Sequence, residues 1–226
     1  MDLISIILII GATLITGGAQ SYISINYKKY KQINVKSNKS GFDTAREILD
    51  KNGLSNVLII ETQGELTDHY DPSKKCVKLS HDIYNGKSIA SVSVASHECG
   101  HAIQDKNGYH FLRFRNSIVP LVNFSSKIGY IAIMIGVASN ITQLVWVGIA
   151  FEVIILLFQL VTLPVEFDAS KRALKLIKEY GIVMEDEHDG AKKMLTSAAL
   201  TYVAGVLSTL MELFRLILVF TGRDDR

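Results

Sequence analysis

Cysteine is scarce in this chain, and so are the patterns that mark several common classes of protein. Only two of its 226 residues are cysteines, Cys76 and Cys99, which is too few for a disulfide scaffold and suits a reducing compartment. The sequence has no internal repeat, no low-complexity tract and no glycine pattern typical of a nucleotide-binding loop. No basic run is interleaved with aromatic residues and the formal net charge is only +2, so nothing predicts nucleic-acid binding.

A basic N-terminal segment is also missing, because only Met1 and Asp2 precede an apolar stretch over residues 3–25. A cleaved signal peptide normally starts with basic residues, so this stretch is predicted to be an uncleaved anchor; a cleavage site at residues 17–19 is the alternative. Further apolar stretches of spanning length lie at residues 118–139, 142–163 and 199–220. With 48% hydrophobic residues and a mean hydropathy of +0.24, the chain is predicted to be an integral membrane protein.

The basic residues gather beside these spans in a one-sided pattern. They follow the first span, precede the second and follow the third, whereas the short link at residues 139–141 carries none. These residues are Lys28, Lys29, Lys31, Lys36, Lys39, Arg113, Arg115, Lys171, Arg172, Lys175 and Lys178. Because basic flanks favour the cytoplasmic side, the pattern predicts a multi-pass protein with an external N-terminus and a cytoplasmic segment between the first two spans.

Three charged residues interrupt the last two predicted spans. Glu152, Glu212 and Arg215 lie where a charge costs about 2.5–3.5 kcal/mol at the centre of a membrane. Glu212 and Arg215 are three residues apart and are predicted to pair along one helix, with Glu152 joining them from the neighbouring helix. A shallow, interfacial position of the last segment is the alternative.

One short motif carries chemistry, the HExxH stretch over residues 97–101. On a helix, His97 and His101 share a face and can bind one Zn²⁺, while Glu98 beside them can take a proton from water. Residues 88–106 support a helix, since Ser88 suits an N-cap and the apolar residues form a stripe that ends at Asn107. The motif therefore predicts a hydrolytic zinc site, although two histidines on a helix surface would give the same spacing.

Two histidines leave a catalytic zinc short of one protein ligand. Glu166 is the best candidate, because Pro164 suits a helix start and the third span has by then returned to the basic side. A carboxylate in the first turn of a helix can also be a simple end charge. Asp168 is the second candidate, and His69 and His188 remain open as competitors.

The segment between the first two spans is predicted to form a small sheet beside the metal helix. Its patterns favour a helix at residues 42–51, a buried strand at 56–61, a turn at 71–73 and a second strand at 75–80. The loop at residues 64–66 is either an open strand edge that receives a substrate peptide or a plain surface loop.

The predicted fold is α+β and mostly helical, with a zincin-like catalytic domain, comprising a small β-sheet and the HExxH helix, and about four transmembrane helices. Its predicted parts follow the chain in order: an anchor (1–27), a cytoplasmic zincin-like domain (28–117), a transmembrane hairpin (118–164), cytoplasmic helices with the third zinc ligand (165–198), and a final transmembrane helix with its tail (199–226).

The motif from His97 to Gln104, joined to residues 165–170, resembles the bacterial YugP-type neutral zinc metallopeptidases, and the resemblance extends over nearly the whole chain. Residues 66–72 and 198–204 also resemble that family. The chain is more distantly similar to the HtpX and CAAX prenyl protease group, in which a glutamate that begins an ExxxD motif completes the zinc site. The resemblance implies Glu166 as a ligand and a bacterial plasma membrane protein. Ser170 stands where that group has aspartate, so Asp168 or Asp105 is the expected substitute for the carboxylate that orients a ligand histidine.

These features predict a membrane zinc endopeptidase with Glu98 as general base and a peptide or membrane-protein substrate. Its oxyanion donor is left open among Tyr202, His69, His188 and Arg172. The alternative is a non-catalytic membrane scaffold or regulatory subunit with a structural zinc, serving a partner membrane protein. A homo-oligomer is a further option. Glu98 favours the enzyme, because a structural zinc site needs no general base.

Overall fold

The computed structural model describes residues 3–224, in a mostly helical chain with one small sheet. The helices are α1 (Leu3–Lys31), α2 (Gly41–Lys51), α3 (His81–Asn85), α4 (Ile89–Lys106), α5 (His110–Ala138), α6 (Thr142–Glu179) and α7 (Glu185–Asp224). The strands are β1 (Leu58–Thr62), β2 (His69–Asp71) and β3 (Cys76–Ser80). The predicted fold class is confirmed.

Four of these helices, α1, α5, α6 and α7, are long and apolar enough to cross a membrane. They contribute to a membrane unit, which comprises residues 1–20, 114–163 and 201–226 of the chain. Its interior holds side chains of α6 and α7, among them Val145, Ile149 and Leu213. Large apolar side chains such as Leu14 and Tyr130 are exposed, as helices that face lipid require.

The charged pair predicted in the last helix is present. The Arg215 Nε donates to Glu212 Oε2 at 2.8 Å, so the charges neutralise one another along α7. Glu152 of α6 lies close enough to Glu212 to interact electrostatically. Its predicted pairing with Arg215 stays a prediction.

The second unit, here the α/β unit, comprises residues 21–113 and 164–200. Its sheet has the order β1-β3-β2, with β1 parallel and β2 antiparallel to β3. The central strand β3 is buried, and α2 and α4 pack beside it through Ala45, Ile48 and Cys99, which are fully buried. This core fixes α4, the helix with the HExxH motif.

Local signals explain where α2 and α4 begin. The Ser40 hydroxyl accepts from the Asp43 amide, and Asp43 accepts from the Ser40 amide, which is a complete capping box. Ser88 caps α4 by accepting from the Ser91 amide. Both helices therefore begin within one residue of the predicted positions.

The structure differs from the sequence expectations at several points. The first strand begins two residues later and ends one residue later than predicted, and it is largely exposed and not buried. The strand β2 was not predicted at all, since three residues carry no readable alternation. The segment 64–66 lies in the turn between β1 and β2 and belongs to no strand, so the surface-loop alternative is correct. Pro164 lies inside α6 and does not begin a helix, because a long helix tolerates the loss of one backbone hydrogen bond where its neighbours support it.

Candidate metal centre

The two histidines of the motif project from one face of α4. Their ring centroids are 4.8 Å apart and their ring planes are nearly perpendicular, as two imidazoles directed at one point would be. His101 is 8% exposed, and the side chain of His97 is 15% exposed. The pair is thus mostly shielded from water, which argues against two ordinary surface histidines.

Glu166 of α6 joins the two histidines. Its Oε2 lies 3.2 Å from His97 Nε2 and 3.6 Å from His101 Nε2, and the residue is 3% exposed. Ligand atoms about 2.0–2.1 Å from a tetrahedral zinc lie about 3.3 Å from one another, so these separations suit a shared zinc ion. Within residues 3–224, this is the only group of three or more such side chains whose ligand atoms converge.

The charge on Glu166 is matched to this role. Burial alone would raise the pKa of its carboxyl, but the adjacent imidazoles of His101 and His97 hold that pKa well below its usual range. Burial lowers the pKa of the His101 imidazole, but the adjacent carboxylate of Glu166 outweighs burial and raises that pKa. Glu166 is therefore an anionic carboxylate, as a metal ligand must be.

Gly100 allows α6 to approach α4 closely. A Cβ atom on this residue would lie 2.7 Å from the backbone oxygen of Ala169, which is too short for a real contact. Ala169 is one helical turn from Glu166 on α6. A side chain at position 100 would therefore push the third ligand away from the two histidines.

Gln104 fixes the orientation of His101. Its Oε1 lies 3.0 Å from His101 Nδ1, and its Nε2 donates to the Val165 carbonyl at 2.8 Å and to Asp168 Oδ2 at 2.9 Å. Because a carbonyl can only accept, the amide group of Gln104 cannot be reversed, and His101 must carry its proton on Nδ1. The Nε2 lone pair is then directed at the metal position.

The hydroxyl of Ser170 performs the matching task for His97. Its Oγ lies 3.1 Å from His97 Nδ1, so it can accept the Nδ1 proton and leave Nε2 for a metal.

Asp168 accepts hydrogen bonds from Gln104 and from Arg172, whose Nε donates to it at 2.5 Å. Asp105 accepts from Tyr70. Asp168 thus acts on His101 through Gln104. The hydrogen bond of Asp105 is to Tyr70 and not to either histidine of the motif.

Glu98 lies beside the ligands and is 7% exposed. Burial raises the pKa of its carboxyl, while the nearby charges of His97 and His101 oppose the shift. Asp68, which accepts from the Ser80 amide at 2.7 Å, adds negative charge near Glu98 and was not identified from the sequence. A buried carboxylate whose affinity for protons is increased suits a general base.

The remaining sequence candidates lie in several places. His69 is exposed on β2 with Nδ1 2.8 Å from the Thr67 carbonyl, and His188 lines a cavity of about 460 Å³ with Lys171 and Lys175. Arg172 pairs with Asp168. Tyr202 belongs to the membrane unit. Their proposed contribution to an oxyanion site stays a prediction.

Two imidazoles and one carboxylate are the protein ligands of many hydrolytic zinc enzymes, and four apolar helices accompany them here, so fold and site define a membrane zinc metallopeptidase as a class. The chain belongs to the family described as "Putative neutral zinc metallopeptidase", whose model matches residues 5–221. It is 42% identical over 221 residues to the "Putative membrane protease YugP" of Bacillus subtilis (strain 168). The matched region covers 97% of this chain and 98% of that protein. No solved structure matches. The resemblance seen in the sequence is confirmed.

Replacement of Gln104 tests the orientation of His101. We expect Gln104→Leu to weaken zinc binding about 10- to 100-fold, because the His101 ring loses its hydrogen-bond acceptor. Zinc affinity is measured by competition with a chromogenic chelator, and the Co²⁺ absorption spectrum reports altered ligand geometry. Equal affinity in Gln104→Leu and in the exposed control Gln63→Leu would contradict this role.

Proposed function

We propose that this protein is a membrane-embedded zinc endopeptidase with His97, His101 and Glu166 as zinc ligands and Glu98 as general base. The convergence of the three ligand atoms, each on a buried or mostly buried side chain, carries the proposal. Three protein ligands leave a fourth position for the reacting groups, whereas structural zinc normally has four. This difference, together with the buried carboxylate of Glu98, favours an enzyme over a scaffold.

The residues divide the chemistry among them. Zinc in this site would supply a Lewis acid for the peptide carbonyl and for the attacking water. Glu98 takes the proton of that water and returns it to the leaving amine. Gln104 and Ser170 keep both imidazoles in the tautomer that leaves Nε2 without a proton.

The edge strand β2 is a suitable place for an extended substrate. It is one of the two outer strands of the sheet, and the Tyr70 hydroxyl donates to Asp105 Oδ2 of α4 at 2.9 Å, which ties β2 to the metal helix. A peptide added along β2 would use backbone hydrogen bonds, so recognition would depend little on sequence. We infer that substrates are membrane proteins or membrane-proximal peptides with an extended segment.

The test of the function uses the full-length, detergent-purified protein loaded with zinc. We expect it to cleave casein and to cleave a membrane-anchored reporter faster than the same reporter without an anchor. Removal of zinc by 1,10-phenanthroline should abolish cleavage, and added Zn²⁺, but not Mg²⁺, should restore it. Cleavage that survives complete metal removal, with zinc content measured on the same sample, would contradict the proposal.

We further propose that the site faces the cytoplasm in a bacterial plasma membrane. Lys36→Cys tests this orientation, because the side chain of Lys36 is exposed and the two native cysteines are fully buried. A membrane-impermeant maleimide should label this variant only after the cells are opened, since the basic flanks favour the inside. Labelling of intact cells would reverse the topology. Association with a partner membrane protein or a second copy stays a prediction.

A further inference from the structure

A cavity of about 330 Å³ lies within the membrane unit and is lined by α5, α6 and α7. Arg115 contributes a guanidinium, Tyr202 a hydroxyl and Gln159 an amide, whereas no carboxylate occurs in the described lining. The guanidinium carbon of Arg115 lies 6.0 Å from the ring centroid of Phe158, which holds the cation against the cavity wall. This lining suits an anionic group.

The cavity residues lie near the same ends of three successive spans. Arg115 precedes the span at 118–139, Thr162 is close to the end of the next span, and Tyr202 is close to the start of the last. Successive spans cross a membrane in opposite directions, so these three ends share one face. At 1.5 Å of rise per residue each lies within about 6 Å of a span end, which is the depth of lipid headgroups.

Gly205 keeps the cavity open. It stands inside α7, where glycine is less stable than alanine. A Cβ atom there would meet only the Nε2 of Gln159, at 4.0 Å, so helix packing does not require a glycine. The missing side chain leaves volume beside Gln159.

Gln159 contributes an unsatisfied acceptor. Its Oε1 is buried and has no hydrogen-bond partner among the described residues. A buried amide oxygen without a donor is unfavourable, and most unfavourable next to hydrocarbon. A ligand for this cavity should therefore carry a hydroxyl or another donor as well as negative charge.

We propose that this cavity binds the headgroup of an anionic glycerophospholipid. The phosphodiester interacts with Arg115 and the Tyr202 hydroxyl, and a headgroup hydroxyl donates to Gln159 Oε1. The two chemical groups of the headgroup complement each other, because a phosphodiester offers only hydrogen-bond acceptors and the hydroxyl supplies the donor that Gln159 needs. The site is independent of the zinc chemistry.

The test compares lipid binding of full-length protein in detergent by thermal unfolding across a series of lipid concentrations. Phosphatidylglycerol should stabilise the wild type, whereas phosphatidylcholine, which has no hydroxyl and no net charge, should do so at least about tenfold less tightly. Gly205→Leu fills the cavity and should weaken phosphatidylglycerol binding at least about tenfold. Gly17→Leu is the matched control, since Gly17 is a helical glycine with nothing within 4 Å of its Cβ position.

Two further measurements keep the proposal falsifiable. Gln159→Leu removes the amide at similar size, so it should fold as stably as the wild type in detergent alone and should lose the preference for phosphatidylglycerol over phosphatidylcholine. Soluble glycerol 3-phosphate should stabilise the protein far less than the lipid. Equal lipid affinity in Gly205→Leu and Gly17→Leu, no selectivity between the two lipids, or stabilisation by glycerol 3-phosphate as strong as by the lipid would overturn it.

Discussion

The Glu98→Gln variant should bind zinc as tightly as the wild type and yet lose about 10²- to 10⁴-fold in kcat, the range typical of a missing general base. Glutamine has nearly the same shape but cannot accept the proton of the attacking water. Because Glu98 is buried and its pKa is raised by that burial, a neutral amide also removes an unfavourable buried charge. We therefore expect the variant to fold at least as stably as the wild type.

Zinc content by mass spectrometry and steady-state cleavage of the anchored reporter are measured on the same preparation. Glu179→Gln is the control, because it makes the same chemical change at an exposed position of α6. Loss of zinc in Glu98→Gln would show that Glu98 is a ligand. Wild-type kcat with full zinc occupancy would show that another group accepts the proton.

The elements that the sequence predicts well are those with strong local signals. The helix α4 carries an N-cap serine, an apolar stripe and an Asn-Gly end, and the structure has it at Ile89–Lys106. The four spans are long and predominantly apolar, so they can be recognised without knowledge of tertiary contacts. In contrast, β2 is three residues long and exists because β3 lies beside it, so no local pattern reveals it.

The sequence ranked Glu166 first and Asp168 second near the third span, but one ground for that ranking, a helix start at Pro164, is absent from the structure. Residues two apart on a helix are turned by about 200°, so Glu166 and Asp168 face different sides of α6. Glu166 shares its face with Ser170, four residues later, and both contact His97. Asp168 shares its face with Arg172 and bonds Gln104. Helical periodicity predicts these pairs, but which face meets α4 is decided by packing.

The contacts that orient the two histidines could not be predicted from the sequence, because they also depend on how α6 packs against α4. Gln104 is three residues from His101 and can be found by helical spacing, yet its function depends on Val165 and Asp168, about sixty residues later. In the sequence, Ser170 is only a departure from an aspartate pattern. Because a hydroxyl accepts a hydrogen bond as a carboxylate does, the substitution keeps the tautomer of His97 without adding a second buried charge beside Glu166.

Glu166→Ala should abolish stable zinc binding and reduce cleavage to background. The remaining His97 and His101 provide only two ligands. The loss of zinc affinity should therefore exceed the roughly 100-fold upper limit that is usual for residues that only hydrogen-bond to a metal ligand. Zinc affinity is measured by chelator competition, and cleavage is measured with zinc in excess. Glu166→Asp keeps the charge on a shorter side chain, so it should retain more zinc than Glu166→Ala if a carboxylate at this position is a true ligand.

Asp168→Asn decides between the two candidate ligands, because it removes the charge of Asp168 and leaves Glu166 in place. The variant weakens only the bonds to Gln104 and Arg172, so we expect it to keep stoichiometric zinc with affinity lowered by at most about 10- to 100-fold. The opposite ranking, with zinc lost in Asp168→Asn and retained in Glu166→Ala, would make Asp168 the ligand. That result would require α6 to turn by about half a rotation against α4, which the close contact between Gly100 and Ala169 opposes.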